Sequence, residues 1–203
     1  MKAVELEKAY NPKDFEDRIY EDWKSNGCFK PKEGEGRPFT IVMPPPNVTG
    51  ILHMGHALNN LLQDTLVRYH RMCGRPSLWL PGTDHAGIAT QHVVERQLAK
   101  EGTSRHELGR ERFLEETWKV KDRHHEIIKR QLEKIGSSCD WSRERFTMDD
   151  GLSRAVREAF VTLYERELIY KGNYLVNYCT HCGTALADDE VEYKHLPGRL
   201  YQV

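Results

Sequence analysis

Apolar residues recur every four positions at Phe15, Ile19 and Trp23, which predicts an amphipathic helix over Asn11 to Phe29 with Gly27 as its stop. The polar, glycine-containing stretch 32–37 reads as a loop. A β-branched apolar run, Phe39 to Met43, then predicts a buried strand, and Pro44, Pro45 and Pro46 forbid its continuation as central strand or helix. From near Leu52 a helical stripe runs through Leu58, Leu61, Leu62, Leu66 and Tyr69 and fades before Gly74. Ser77 to Leu80 is a second short strand, followed by a turn at Pro81 to Asp84 and a helix from about Ala86 to Lys100, closed by Gly102.

Strand, loop, helix, repeated once, is the order of a parallel sheet with crossover helices. Ligands in such sheets bind beyond the carboxyl ends of the strands, so the two loops become the first candidates for a site. Farther on, Ser104 and Glu107 form a capping-box pattern before a long charged helix running toward Ile135 and Gly136. Asp149 or Asp150 can cap another helix carrying Leu152, Val156, Phe160 and Tyr164. After Lys171-Gly172-Asn173 the pattern turns strand-like, at Tyr174 to Tyr178, Val191 to Tyr193 and Leu200 to Val203. The expected organisation is a helical extension over 1–37, an α/β segment over 38–172 and the start of a β-rich insertion over 173–203.

Composition narrows the function classes. Of 203 residues, 30 are Lys or Arg and 31 Asp or Glu, for a net charge of -1, so bulk electrostatic grip on nucleic acid is not expected. No apolar run approaches the roughly 18 residues of a membrane span, and the charged opening lacks a secretory signal. Five cysteines, with only Cys179 and Cys182 closely spaced, argue against a disulfide framework and for a reducing cytoplasm.

The chemistry concentrates at Pro44-Pro45-Pro46-Asn47-Val48-Thr49-Gly50 followed by His53-Met54-Gly55-His56. Two histidines three apart at a helix start share a face and can reach one ligand. A helix start also suits phosphate, and Gly55 leaves room for a flat ring. By themselves these residues equally allow a surface accident or part of a metal site. In the second loop, Asp84 stands at a strand end; a structural reading makes it the cap of the next helix, and His85 a packing residue.

His53-Met54-Gly55-His56 resembles the HIGH motif of the class I aminoacyl-tRNA synthetases, and the string PPPNVTGILHMGHA resembles the valyl branch in particular. Gly82-Thr83-Asp84-His85-Ala86-Gly87-Ile88-Ala89-Thr90-Gln91 resembles that branch too. The resemblance implies the first half of a Rossmann-like catalytic domain. It implies that His53 and His56 are the catalytic pair on ATP, with Thr49 and Gly55 also at the nucleotide. It further implies that Asp84 takes the valine ammonium while Pro45, Pro46 and Asn47 wall the valine pocket. ATP with Mg²⁺, valine and tRNA(Val) are the implied substrates of a cytoplasmic, monomeric enzyme.

Cys179-Thr180-His181-Cys182 has knuckle spacing, but one such pair gives two thiolates and a structural zinc wants four ligands. The resemblance implies that a second pair lies farther along the protein, so Cys179 and Cys182 are at most half of a Zn²⁺ site. No lysine-loop (KMSKS) sequence occurs, and the chain reads as an amino-terminal portion expected to bind ATP weakly and to charge little tRNA by itself. Two alternatives come from other classes. One is a non-catalytic nucleotide-binding or interaction module, the other a small nucleotidyltransferase, which would lack both loops. His124 and His125 are expected on a solvated helix face.

Overall fold

The computed structural model describes residues 9–201. Helix α1 (Pro12–Ser25) starts at Asn11, whose side chain accepts from the Lys13 amide, with Pro12 at the first turn. It stops at the Gly27 turn, as the sequence predicts, though the last turn of the expected length, beyond Ser25, is not helical. Its predicted stripe is only part-covered, and Tyr20 is the residue it buries.

Strand β1 (Phe39–Val42) leads through the first loop to helix α2 (Met54–Met72) and on to strand β2 (Ser77–Leu80). β1 and β2 pair in parallel, Phe39 opposite Ser77 and Val42 opposite Leu80. After Pro81 the chain continues as β3 (Gly82–Thr83), which pairs in parallel with β4 (Arg145–Phe146). Carbonyls of Pro76 and Leu80 accept from Phe39 and Met43, whereas those of Trp79, Pro81 and Thr83 accept from Asp140, Arg145 and Thr147. Residues 77–83 are therefore a central line with β1 on one edge and β4 on the other. The predicted turn at Pro81 to Asp84 is thus partly strand, too short to show in a hydrophobic pattern.

Helix α3 (Gly87–Lys100) follows β3. The capping box is present, with Glu107 N donating to Ser104 Oγ and Ser104 N to Glu107 Oε2, but it caps only the four-residue α4 (Arg105–Leu108). Gly109, at φ 79°, breaks the helix there because a left-handed residue cannot sit inside an α-helical turn. The long helix α5 (Arg110–Lys134) begins after it. One core gathers Met43, Val48, Val67, Trp79, Ile128, Leu132 and Cys139; a second joins Val94 and Leu98 of α3 to Val120 of α5.

The leucine stripe of α2 behaves differently from expectation. Leu58, Leu61 and Leu62 are each 60% exposed, and the buried face carries Asn60, Gln63, Asp64 and Val67. Most of that polar face is matched, with Asn60 Oδ1 the atom left without a partner among the described residues. Trp79 Nε1 donates to Gln63 Oε1 at 2.9 Å, and Asp64 accepts from Ser138 and Arg68. Periodicity shows which side chains share a helix face, not which face meets a neighbour.

The chain falls into two compact units, the first ending at Val156 and the second beginning at Arg157. Helix α6 (Asp150–Glu165) spans that boundary and is capped by Asp149, whose Oδ1 accepts from Leu152 N. In the second unit, β5 (Asn177–Cys179) and β6 (Thr184–Leu186) form an antiparallel hairpin, and Asn177 Nδ2 donates to Asp188 Oδ1. Of the strand expected over Tyr174–Tyr178 only Asn177 and Tyr178 are formed, as part of β5; those expected at Val191–Tyr193 and Leu200–Val203 are not formed over the described residues, 202–203 lying outside them. Thr184–Leu186 was not expected as a strand; its three residues carry no alternation long enough to read.

Candidate functional site

The two loops meet through their backbones. Asn47 lies opposite Asp84 in a parallel bridge, with Asp84 N donating to the Pro46 carbonyl and Val48 N to the Asp84 carbonyl, both at 2.9 Å. The prolines lack N–H groups, so pairing skips the Pro44–Pro46 run on the donor side and resumes at Val48. Val48 and Pro46 are buried, Pro45 and Asn47 exposed, and Thr49 half-buried on the way to α2.

His53 and His56 stand side by side at the start of α2, ring centroids 4.0 Å apart. Gly55 N donates to His53 Nδ1 at 3.1 Å, and His53 N donates to His56 Nδ1 at 3.3 Å. The two rings thus cap their own helix, a variant of the capping box in which imidazoles replace hydroxyl and carboxylate. Because each Nδ1 accepts, the neutral tautomer assigned from these bonds carries its proton on Nε2, leaving two N–H donors on the open side. Partial burial, and then the adjacent His53, hold the His56 ring below the usual histidine range, so at pH 7 it is a neutral donor. The Gly55 amide, one of the N–H groups at this helix start, is used by His53.

Gly55 is required by close approach. A Cβ there would lie 2.9 Å from His53 Cε1 and 3.1 Å from its Nδ1, so any side chain displaces the ring.

Asp84 is 36% exposed along its side chain. Its Oδ1 accepts from Ala86 N at 2.9 Å. Ala86 is itself the N-cap of α3, which has no side-chain capping bond, so Asp84 braces the loop before the helix rather than capping it, and the helix begins one residue later than predicted. Ala86 occupies the left-handed region at φ 51°, a conformation that costs a non-glycine residue about 1 kcal/mol. Thr147, just past β4, links the neighbours. Its Oγ1 lies 2.9 Å from His85 N, 2.6 Å from His85 Nδ1 and 3.4 Å from Asp84 Oδ1.

Helix α5 underpins both loops, which the sequence reading missed. His124 Nδ1 donates to the Val48 carbonyl at 2.8 Å, and Gln131 Oε1 accepts from Leu52 N at 2.9 Å. His125 Nδ1 sits 3.1 Å from Thr83 Oγ1, its Nε2 3.4 Å from Glu144. The expectation that His124 and His125 face solvent is therefore corrected. The signal was available: His124, Ile128 and Gln131 recur at helical spacing on the face that buries Ile128.

In the second unit, Cys182 N donates to Cys179 Sγ at 3.4 Å, and this N–H, with neighbouring donors, pulls the Cys179 thiol below its usual range. Among the described residues no group of three or more His, Cys, Asp or Glu is disposed to hold a metal, so Cys179 and Cys182 have no third ligand there. No helix among the described residues is long and apolar enough to cross a membrane.

Residues 18–197 match the family model described as tRNA synthetases class I (I, L, M and V). The chain belongs to that family. Within it, the chain is 61% identical over 205 residues to a valine–tRNA ligase of Treponema denticola, covering all of this chain and 23% of that protein. It is 60% identical over 199 residues to one of Desulfotalea psychrophila, covering 98% of this chain and 22% of the other. A third, of Geobacter sulfurreducens, is 59% identical over 204 residues. The chain spans less than a quarter of the length of these relatives. Among solved structures, Agrobacterium radiobacter LeuRS in a ternary complex with tRNA and LeuAMS superposes with a TM-score of 0.73, covering 89% of this chain and 22% of that one at 23% identity. That likeness establishes the fold, the opening half of a Rossmann-like class I catalytic domain.

Proposed function

We propose that the protein carrying this chain activates valine with ATP and transfers it to tRNA(Val). The observation that carries this reading is the backbone pairing of Asn47 with Asp84, which joins the histidine-bearing helix start and an acidic strand end into one rim. The identity of about 60% to valine–tRNA ligases over 98–100% of the chain supports valine over the other amino acids of the family.

In the proposed reaction the valine carboxylate attacks the α-phosphorus of Mg²⁺-bound ATP and pyrophosphate leaves. A ribose hydroxyl at the tRNA end then attacks the carbonyl of the valyl-adenylate, and AMP leaves. Charge moves onto phosphate oxygens as the first step proceeds, so fixed donors matter more than a protein nucleophile. The Nε2–H groups of His53 and His56 are assigned to those oxygens, with Thr49 alongside and adenine over Gly55. Asp84 is assigned to the valine ammonium, a charge-assisted contact that a half-dry rim strengthens. Pro45, Pro46 and Asn47 are assigned to the wall around the valine side chain. Supply of ATP and tRNA makes the cytoplasm the place of action.

The test is valine-dependent exchange of pyrophosphate into ATP by the full-length protein. Exchange with valine well above that with leucine, isoleucine or methionine is expected; none with valine, or a preference for another amino acid, rejects the reading. A subsidiary expectation concerns Gly55→Ala. By displacing the His53 ring it should lower exchange by about tenfold, the loss of one charge-assisted contact, with KM for ATP raised more than KM for valine. An unchanged KM for ATP would place adenine and phosphate elsewhere.

Cys179 and Cys182 fit a zinc site only in part, since a tetrahedral structural site takes four protein ligands and the described residues offer two. Bound, zinc would supply structure and no chemistry at the rim. The full-length protein purified without chelator should contain roughly one zinc per chain, and Cys179→Ser should abolish it. Zinc retained in the variant would exclude the pair.

A further inference from the structure

We propose that Thr147 is a positioning residue that fixes the Asp84 carboxylate for the substrate ammonium, acting through a hydroxyl shared with His85. The inference rests on the reading of Asp84 as the ammonium's partner.

The geometry is that of a three-way junction. His85 N–H donates to Thr147 Oγ1 at 2.9 Å, which occupies one lone pair of the hydroxyl oxygen. The hydroxyl proton then has two acceptors in reach, His85 Nδ1 at 2.6 Å and Asp84 Oδ1 at 3.4 Å. Asp84 Oδ1 is also 3.4 Å from His85 Nδ1 and takes the Ala86 amide at 2.9 Å. The contacts of this carboxylate among the described residues fall on Oδ1, which leaves Oδ2 to an arriving cation. A carboxylate held at Oδ1 by the Ala86 amide, and by the Thr147 hydroxyl when its proton turns that way, cannot rotate without giving up those contacts. That is pre-organisation of a charged acceptor.

The position of Thr147 explains why this residue type is needed. Thr147 N donates to the Thr83 carbonyl, so the same residue that extends the sheet past β4 holds its hydroxyl over the loop that follows β3. Serine keeps the hydroxyl. Valine keeps the shape and removes it, leaving the His85 amide without its acceptor, the His85 ring without its shortest polar contact and Asp84 with one support fewer.

The experiment uses the full-length protein and two inhibitors: valyl sulfamoyl adenosine, which carries the ammonium, and its isovaleryl counterpart, which lacks it. With Thr147→Val, the inhibition constant of the valyl compound is expected to rise about tenfold, the scale of one hydrogen bond to a charged group, while that of the isovaleryl compound stays within about twofold. KM for valine should follow the valyl compound and KM for ATP should not, and Thr147→Ser should restore both. Asp84→Asn is measured beside it. If Asp84→Asn leaves the valyl compound's affinity unchanged, the assignment of Asp84 itself falls. If Asp84→Asn weakens it but Thr147→Val does not, or weakens both compounds equally, the positioning role of Thr147 is overturned. Should Thr147→Val fail to fold, the same pair of inhibitors measured on Thr147→Ala decides the matter by the same criteria.

Discussion

Replacing His56 with alanine is expected to slow valine-dependent pyrophosphate exchange by about a hundred- to a thousandfold, the usual loss when one pre-organised donor to a developing oxyanion is removed. The loss should fall on kcat more than on the KM for valine, because charge grows on the phosphate oxygens only as the bond to the α-phosphorus forms. Two features of the structure make the effect large. The His56 ring is kept neutral by partial burial and by the adjacent His53, so at pH 7 it donates from Nε2 without first losing a proton. Its Nδ1 also receives the His53 amide, so truncation removes a helix cap together with the donor. Cap loss alone costs about 1 kcal/mol of stability and would leave kcat almost intact, which separates the two effects. A fall of less than about tenfold in kcat, in a variant shown to be folded, would contradict the role given to the pair.

Asp64→Ala is expected to destabilise the fold by about 3 kcal/mol, close to what stranding the buried donors of a hydrogen-bonded carboxylate costs, with Arg68 partly solvated and adding less. The carboxylate accepts from Arg68 Nε at 2.8 Å, from Ser138 N at 3.1 Å and from the Ser138 hydroxyl. Arg71 reaches Ser138 Oγ at 2.6 Å, Ser138 O at 2.8 Å and Phe29 O at 2.9 Å, so Asp64 also balances a second half-buried cation. Burial lowers the Arg71 guanidinium from its usual range, and Asp64 is the largest influence acting in the other direction. Without Asp64 the Ser138 donors and Arg68 Nε lose their common acceptor beneath α2, and Arg71 loses a neighbouring counter-charge. Chemical denaturation reads the loss directly, and Asp64→Asn, which keeps the shape and one oxygen, should lose less. A change below about 1 kcal/mol for the alanine variant would mean that water replaces the carboxylate without penalty.

The meeting of the two candidate loops was far more legible in the sequence than the packing around them. Proline triplets, a glycine between two histidines and an acid after a strand are local features, and each dictates backbone behaviour within a few residues. What was misread depends on partners distant along the chain. The α2 stripe of Leu58, Leu61 and Leu62 is the most apolar face of its helix, yet the face turned to the core is the one whose Gln63 and Asp64 find Trp79 and Ser138. The same reason hid His124 and Gln131, whose partners are loop amides and carbonyls more than seventy residues earlier. Strands of two or three residues, such as β3 and β6, leave no periodic trace. A charged helix was read as unbroken across Gly109, although a glycine directly after the capped turn was the visible sign of the break.

A crystal structure of the full-length protein with valyl sulfamoyl adenosine bound measures the heart of this account. It should place the ligand's ammonium at hydrogen-bonding distance, about 3 Å, from Asp84 Oδ2 and the sulfamoyl oxygens at the same distance from Nε2 of His53 or His56. A ligand seated away from the paired loops, or with its ammonium turned from Asp84, would contradict it.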